Sequence, residues 1–347
     1  MLNVGINGFG RIGRAIFRQN YQNSNFNVVA INDVNPSIKN LSYMLKYDST
    51  YGIFKHNIES KNSSIIIDNK DEIEIFHQSK ISDAPWGDYN IDIVIDSSGI
   101  FDNLLYAKEL RKQGIKKQLV TNTPDSTEID QYIIFGVNEN LLVNEESFLI
   151  SCSICDASAV APVLNILDNK YRVEHGFLTT LHPWLSYQNL LDGPSRSFAY
   201  PGTIIDNFSL GRASLNALIP KTTSAIKASE KVLNNLKGKF ESLSYRVPTS
   251  IVSSADLTIK LNDVLTKNDV IEVFKDFSLN QNYKIISNNF DPLISTDFIG
   301  SEYSAIIDHR WTQINESNYL KLILWYDNEW GYSSRIIDAV KLLSQDY

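Results

Sequence analysis

A glycine-rich turn near the N-terminus constrains the fold of this chain more than any other feature. Gly8, Gly10 and Gly13 set the spacing G-x-G-x-x-G within Asn7-Gly8-Phe9-Gly10-Arg11-Ile12-Gly13-Arg14, between a strand-like run at 2–7 and a helical pattern at 11–21. Gly8 permits the tight turn, Gly10 lets the backbone approach a pyrophosphate, and Gly13 lets helix and strand pack closely. The helix start adds N–H donors and the positive end of its dipole. Asp33 follows Gly13 by twenty residues and ends a second strand pattern at 27–31. A carboxylate there bonds the ribose hydroxyls of NAD and repels the extra phosphate of NADP. Without that acid the glycines would be only a turn; with it, an NAD-binding Rossmann unit is expected, with Arg11 and Ile12 completing the cradle.

The rest of the first 150 residues repeats the rhythm. Strand-like runs at 64–67, 73–76, 91–96, 118–121 and 148–151 alternate with helical patterns at 38–45 and 103–113, as in a doubly wound parallel sheet. Beyond Cys155, a helix to about 167 leads into longer alternating runs at 174–181, 242–247, 251–261 and 320–326, the pattern of a mostly antiparallel sheet. The expected class is α/β, a Rossmann domain followed by an α+β catalytic domain. Its boundaries fall at 1–154 and 155–326, and 327–347 carries the C-terminal helix that closes the chain. The stretch 190–210, rich in Gly, Pro, Ser and aromatics, has no clear periodicity, and so long a loop is usually functional.

Composition narrows the function. Thirty-two Lys and Arg against forty Asp and Glu give a net charge of −8, with no basic cluster. That excludes an electrostatic footprint for nucleic acid or an anionic membrane, and no apolar run approaches the ~20 residues of a membrane span. A cytoplasmic protein is expected. The two cysteines, Cys152 and Cys155, are too few to staple 347 residues, so each is either a core bystander or chemistry. Cys155 falls at a helix start, where a thiol ionises more easily than in free cysteine.

Several segments resemble the phosphorylating glyceraldehyde-3-phosphate dehydrogenase family, in its order and along the whole chain. They are the glycine turn, Ala30-Ile31-Asn32-Asp33, Lys46-Tyr47-Asp48-Ser49-Thr50-Tyr51-Gly52, Pro85-Trp86-Gly87-Asp88, Thr179-Thr180-Leu181-His182, Arg246-Val247-Pro248-Thr249 and Trp325-Tyr326-Asp327-Asn328-Glu329-Trp330-Gly331-Tyr332. The resemblance implies that Cys155 attacks an aldehyde to give a thiohemiacetal, that hydride passes to NAD, and that a thioester remains. It makes His182 the base, Asn328 the holder of the nicotinamide carboxamide, Tyr332 a ring beside it, and Thr121 a further nicotinamide contact. Thr223, Ser224 and Arg246 fall on substrate-binding positions. A homotetramer is implied, with the helix of 327–347 returning to the NAD-binding domain, and no metal.

Departures gather at the family's two anion sites. Ser and Thr beside the nucleophile are replaced by Ile154 and Asp156, the Thr-Gly pair is Thr223-Ser224, and the Thr three residues after the histidine is Leu185. The family's second cysteine is Ala159, and Cys152 stands where Asn is usual, creating a Cys-x-x-Cys spacing. The loop from Asp192 to Arg212 is longer than its family counterpart and carries Phe198, Tyr200 and Phe208. Two negative charges about 6 Å apart at an effective dielectric of about 20 repel by roughly 3 kcal/mol, so Asp156 opposes an inorganic phosphate beside Cys155. Alternatively Asp156 is a helix-start acid turned to solvent. The expectation is NAD-dependent oxidation of a small hydroxylated, phosphorylated aldehyde with phosphate-dependent acyl transfer weakened. The alternatives are the ordinary phosphorylating enzyme and an NAD-binding relative with a regulatory or scaffold role.

Overall fold

The computed structural model describes residues 1–197 and 199–345, and these form two compact units. The first comprises 1–133, 140–152 and 333–345; the second comprises 134–139 and 153–332. Phe198 lies outside the described residues, as do the last two residues of the 327–347 segment.

A nine-stranded sheet fills the first unit. Its order is Gln131–Tyr132, Leu149–Ser151, Lys117–Val120, Ile93–Asp96, Asn3–Asn7, Asn27–Asn32, Asp71–Phe76, Ser64–Ile67 and Ile58–Ser60. All neighbours are parallel up to Asp71–Phe76, and the last two pairings are antiparallel. Asn3–Asn7 and Ile93–Asp96 adjoin where the strand order reverses, and in doubly wound sheets ligands bind at the carboxyl ends of such strands. The glycine turn follows Asn7 there. Below it runs a buried polar chain: Asn32 Nδ2 donates to Asn7 Oδ1 at 2.7 Å, Asn7 Nδ2 to Asp96 Oδ1 at 2.9 Å, and Asn103 Nδ2 to Asp96 Oδ2 at 3.0 Å. Because Asn103 is held by Asp96, the expected helix at 103–113 does not form as one piece. A 3₁₀ turn, Phe101–Tyr106, precedes a short helix, Ala107–Lys112.

The second unit has an eight-stranded sheet. Its main path runs Ile219–Lys221, Phe240–Val247, Val173–Pro183, Ser253–Leu261, Tyr319–Tyr326, Ala305–Asp308 and Ile286–Asn289, and Gln313–Asn315 pairs with Tyr319–Tyr326. Five of its pairings are antiparallel; Val173–Pro183 with Phe240–Val247 and Ile286–Asn289 with Ala305–Asp308 are parallel. The helix Cys155–Tyr171 is buried nearly all round and packs against Val173–Pro183 and Ser253–Leu261, as expected for a helix apolar on every face. No helix among the described residues is long and apolar enough to cross a membrane.

Candidate active site

The nucleotide-binding turn in the first unit follows the glycine logic closely. Gly8 has φ +88°, and a Cβ there would stand 2.5 Å from the Ser98 backbone; a Cβ on Gly13 would stand 2.2 Å from Gly8 O. Gly10 is exposed, with nothing within 4 Å of an added Cβ, so its surface is open to an approaching group. Asp33 receives Phe9 N at 2.7 Å and Asn35 N at 2.9 Å, which fixes the carboxylate beside the turn. Ile12 is half-buried, Arg11 pairs with Asp48 at 2.5 Å, and Thr121 is tied to Asp96 O through its amide at 3.0 Å. A dinucleotide fits this turn, because Gly10 leaves its surface open while a Cβ on Gly8 or Gly13 would strike the protein backbone that holds the turn tight.

In the second unit the pleat brings the chemistry together. The chain turns through Ser153, which has φ +62°, and extended Ile154 before Cys155 opens the helix Cys155–Tyr171. Tyr332 fixes that turn, its OH donating to Ser153 O at 2.9 Å. No side chain caps the helix start. His182, near the end of Val173–Pro183, pairs in register with Arg246, and Arg246 pairs with Ile219 on the far side. Cys155 Sγ lies 3.8 Å from His182 Nε2 and 3.6 Å from Asp156 Oδ1; His182 Nε2 is 3.9 Å from that same oxygen. Arg246 Nη1 contacts His182 Nδ1 and donates to Pro183 O at 3.2 Å.

Asp156 is only 6 % exposed, so the solvent-facing alternative fails. Tyr326 OH donates to its Oδ1 at 2.8 Å and Thr223 Oγ1 to its Oδ2 at 3.4 Å. Sequence reasoning missed the role of Tyr326 although it stands beside the Asp-Asn pair in the Trp325–Tyr332 motif. It also missed Lys221, two residues before Thr223, which is half-buried and held down to about 8 by burial first and by Arg246 second. Ser224 is exposed at the start of Ala225–Glu230, and Leu185 closes a turn with Gln188 through Leu185 N to Gln188 Oε1 at 2.9 Å. Asn328 is buried with an unpartnered Oδ1, an acceptor suited to a carboxamide N–H. The atoms of Cys155, Asp156 and His182 lie within 4.8 Å of one another, which would also admit a metal ion, though the adjacent Arg246 charge opposes one.

Electrostatics corrects one expectation. Burial and then the Asp156 carboxylate push the Cys155 thiol well above its ordinary range, so the helix start does not leave it easily ionised. The free site therefore holds S–H donating to Asp156. Cys152 is buried and pushed up to about 12, inert by comparison, and both cysteines are free thiols.

His182 is lowered to about 4, mainly by burial, with Arg246 adding to it against Asp156. The unfolded chain takes up this proton through pH ~6.5 while the folded chain refuses it until about 4, so the stability is complete above 6.5 and lost as pH falls. His309, hydrogen-bonded to Thr312 and Asn288, is lowered to about 4 as well, again mainly by burial. The urea midpoint of the second unit is expected to fall between pH 7 and 4.5, with about 2–3 kcal/mol from His182 alone. A midpoint independent of pH over that range would contradict the buried neutral imidazoles.

Comparison with known proteins agrees with this architecture. The chain matches the family models for the glyceraldehyde 3-phosphate dehydrogenase NAD binding domain over residues 2–104 and C-terminal domain over residues 154–328. It is 36% identical to the glyceraldehyde-3-phosphate dehydrogenase of Eremothecium gossypii, over 98% of both chains. It is 37% identical to that of Buchnera aphidicola subsp. Schizaphis graminum over 99% of both, and 35% identical to glyceraldehyde-3-phosphate dehydrogenase 2 of Bacillus subtilis over 97% of this chain and 95% of that one. With its glycine cradle and its cysteine beside a histidine, the chain belongs to the glyceraldehyde-3-phosphate dehydrogenase family and is an NAD-dependent oxidoreductase acting on an aldehyde group.

Proposed function

We propose that the substrate is a small hydroxylated, phosphorylated aldehyde, oxidised through Cys155, and that the acyl group is not passed to inorganic phosphate. The buried Asp156 carboxylate, 3.6 Å from Cys155 Sγ, carries this reading. A phosphate entering beside the sulfur meets a charge that a hydroxyl-bearing residue would not present, at a cost of roughly 3 kcal/mol at about 6 Å.

Sγ of Cys155 adds to the aldehyde carbon as its proton moves to the carbonyl oxygen, and His182 stands at 3.8 Å to hydrogen-bond the sulfur and the forming hydroxyl, whose proton is lost to solvent as hydride leaves. Bound NAD supplies the hydride acceptor. Gly8, Gly10, Arg11, Ile12, Gly13, Asp33 and Thr121 are proposed to hold it, with Asn328 offering its open Oδ1 and Tyr332 bracing the turn before the nucleophile. Arg246 takes the substrate's phosphate, and Thr223 with Ser224 borders the reacting carbon. The protein is proposed to act in the cytoplasm, where Cys155 stays reduced, and as a homotetramer. Exposed Phe177, Leu181 and Leu243, on neighbouring strands of the second sheet, support a copy-to-copy contact.

NADH formation from glyceraldehyde 3-phosphate and related aldehydes, followed with and without inorganic phosphate, tests the reading. Turnover at similar rates in both buffers is expected. A strict phosphate requirement would restore ordinary phosphorylating chemistry, and absence of NADH with every aldehyde would leave a binding role.

A further inference from the structure

We infer that the Asp156 carboxylate is the base that delivers water to the Cys155 thioester, so that the acyl group leaves as a carboxylic acid. The inference rests on the reading of Cys155 given above, and it assigns Asp156 a second task beyond excluding phosphate.

Hydrogen bonding around the carboxylate sets up the step. Tyr326 OH occupies one acceptor site of Oδ1 at 2.8 Å, Cys155 S–H points at the same oxygen at 3.6 Å, and Thr223 holds Oδ2 at 3.4 Å. Acylation removes the S–H hydrogen. The acceptor site it used is vacated just as a thioester carbonyl carbon is attached to that sulfur, and a water bonded there lies beside the carbon. A base must sit within hydrogen-bond reach of the proton it takes, directly or through one water, and Oδ1 meets that requirement. Tyr326 is buried and its phenol is pushed well above its ordinary range, chiefly by burial, so it remains a donor that keeps the carboxylate oriented.

His182 is the competing base, and Arg246 removes it from that role. A guanidinium only donates, so the nitrogen it faces, Nδ1, must present its lone pair, and the ring hydrogen is then on Nε2. Nδ1 also lies 2.8 Å from Pro183 O, which accepts from Arg246 Nη1 at 3.2 Å and has a second lone pair, but a hydrogen on Nδ1 would face the guanidinium hydrogens of Arg246. Nε2–H points at Sγ from 3.8 Å, where it stabilises the departing thiolate instead of accepting a proton from water.

The balance is closed without a further reactant. Water oxygen bonds to the thioester carbon while one water proton moves to Asp156. The C–S bond breaks with its electron pair passing to sulfur, and Asp156 returns the proton to the thiolate. A carboxylic acid and the free thiol result, and hydride has already left during oxidation.

The test compares wild type with Asp156→Asn in phosphate-free buffer, using NAD and an aldehyde that the wild type turns over. Asp156→Asn is expected to release one NADH per site and then stall, with steady turnover reduced by about 10²- to 10⁴-fold. Intact-mass measurement should find the acyl group on Cys155, and hydroxylamine, which needs no base, should restore turnover. Asp156→Glu, which keeps a carboxylate, should retain part of the steady rate. If Asp156→Asn does not fold, Asp156→Thr carries the same test and should stall in the same buffer. Turnover by a folded variant lacking the carboxylate within about fivefold of wild type, or no burst and no adduct in it, overturns the role of Asp156. Absence of NADH from the wild type with every aldehyde would instead defeat the reading of Cys155.

Discussion

Cys155→Ser is expected to abolish aldehyde-dependent NADH formation, by on the order of 10⁵-fold or more, as for removal of the nucleophile from other covalent enzymes. A hydroxyl is a far weaker nucleophile than a thiol at neutral pH. Cys152 cannot substitute, because it is buried and its thiol is pushed up to about 12. Cys155 is not among the residues proposed to hold NAD, so NAD affinity should change little. NADH formation by Cys155→Ser within tenfold of wild type would remove Cys155 from the chemistry; loss of both NAD binding and activity would indicate a folding defect instead. The same geometry makes the free thiol slow to react. Held as S–H against Asp156, Cys155 should be alkylated at pH 7 more slowly in wild type than in Asp156→Asn, where the repelling charge is gone.

Periodicity made the Rossmann half legible because a parallel sheet writes buried runs and helices at regular spacing, and the glycine turn marks its ligand end. Elsewhere the signals were local and easily passed over. The helix Lys267–Asn280 begins with Thr266 and Asp269 bonding each other's backbone amides, a capping box written plainly as Thr-x-x-Asp. The strands Ile286–Asn289 and Ala305–Asp308 are only four residues each, too short to show alternation against their Asn- and Ser-rich surroundings. At the site, Cys155, His182 and Arg246 could be picked out through motifs, but their meeting depends on register: His182 sits opposite Arg246 across a parallel pair that sequence spacing does not reveal.

Asp156 shows why a residue type alone was not enough. In the first turn of a helix an acid is favourable whether it faces solvent or not, so sequence left both orientations open. What decides between them is Tyr326, 170 positions away, whose hydroxyl meets the carboxylate inside the protein. Once buried, the acid reverses the expected behaviour of its neighbour. A helix start that would lower a thiol pKa is outweighed by a carboxylate within 3.6 Å and by burial. Loss of a phosphate-compatible hydroxyl and gain of a proton acceptor thus arise from one substitution.

Arg246→Gln should separate recognition of the substrate's phosphate from the oxidation itself. Arg246 is buried, and at Leu185, whose amide is engaged by Gln188, the side chain has no hydroxyl to share the anion. Truncating one partner of a buried, hydrogen-bonded charge pair costs about 2–5 kcal/mol, so kcat/KM for glyceraldehyde 3-phosphate should fall by roughly 30- to 5,000-fold. Lys221 tempers the loss without replacing the fork: held down to about 8, it is still charged at pH 7, but a single ammonium cannot bind an anion bidentately. Unphosphorylated glyceraldehyde supplies the control. It has no anion for Arg246 to hold, so its kcat/KM should change only through the freed Nδ1 of His182. The informative quantity is the ratio of the two kcat/KM values, which should drop by at least an order of magnitude in Arg246→Gln. If both substrates lose equally, Arg246 acts by fixing His182 and the phosphate must be held elsewhere.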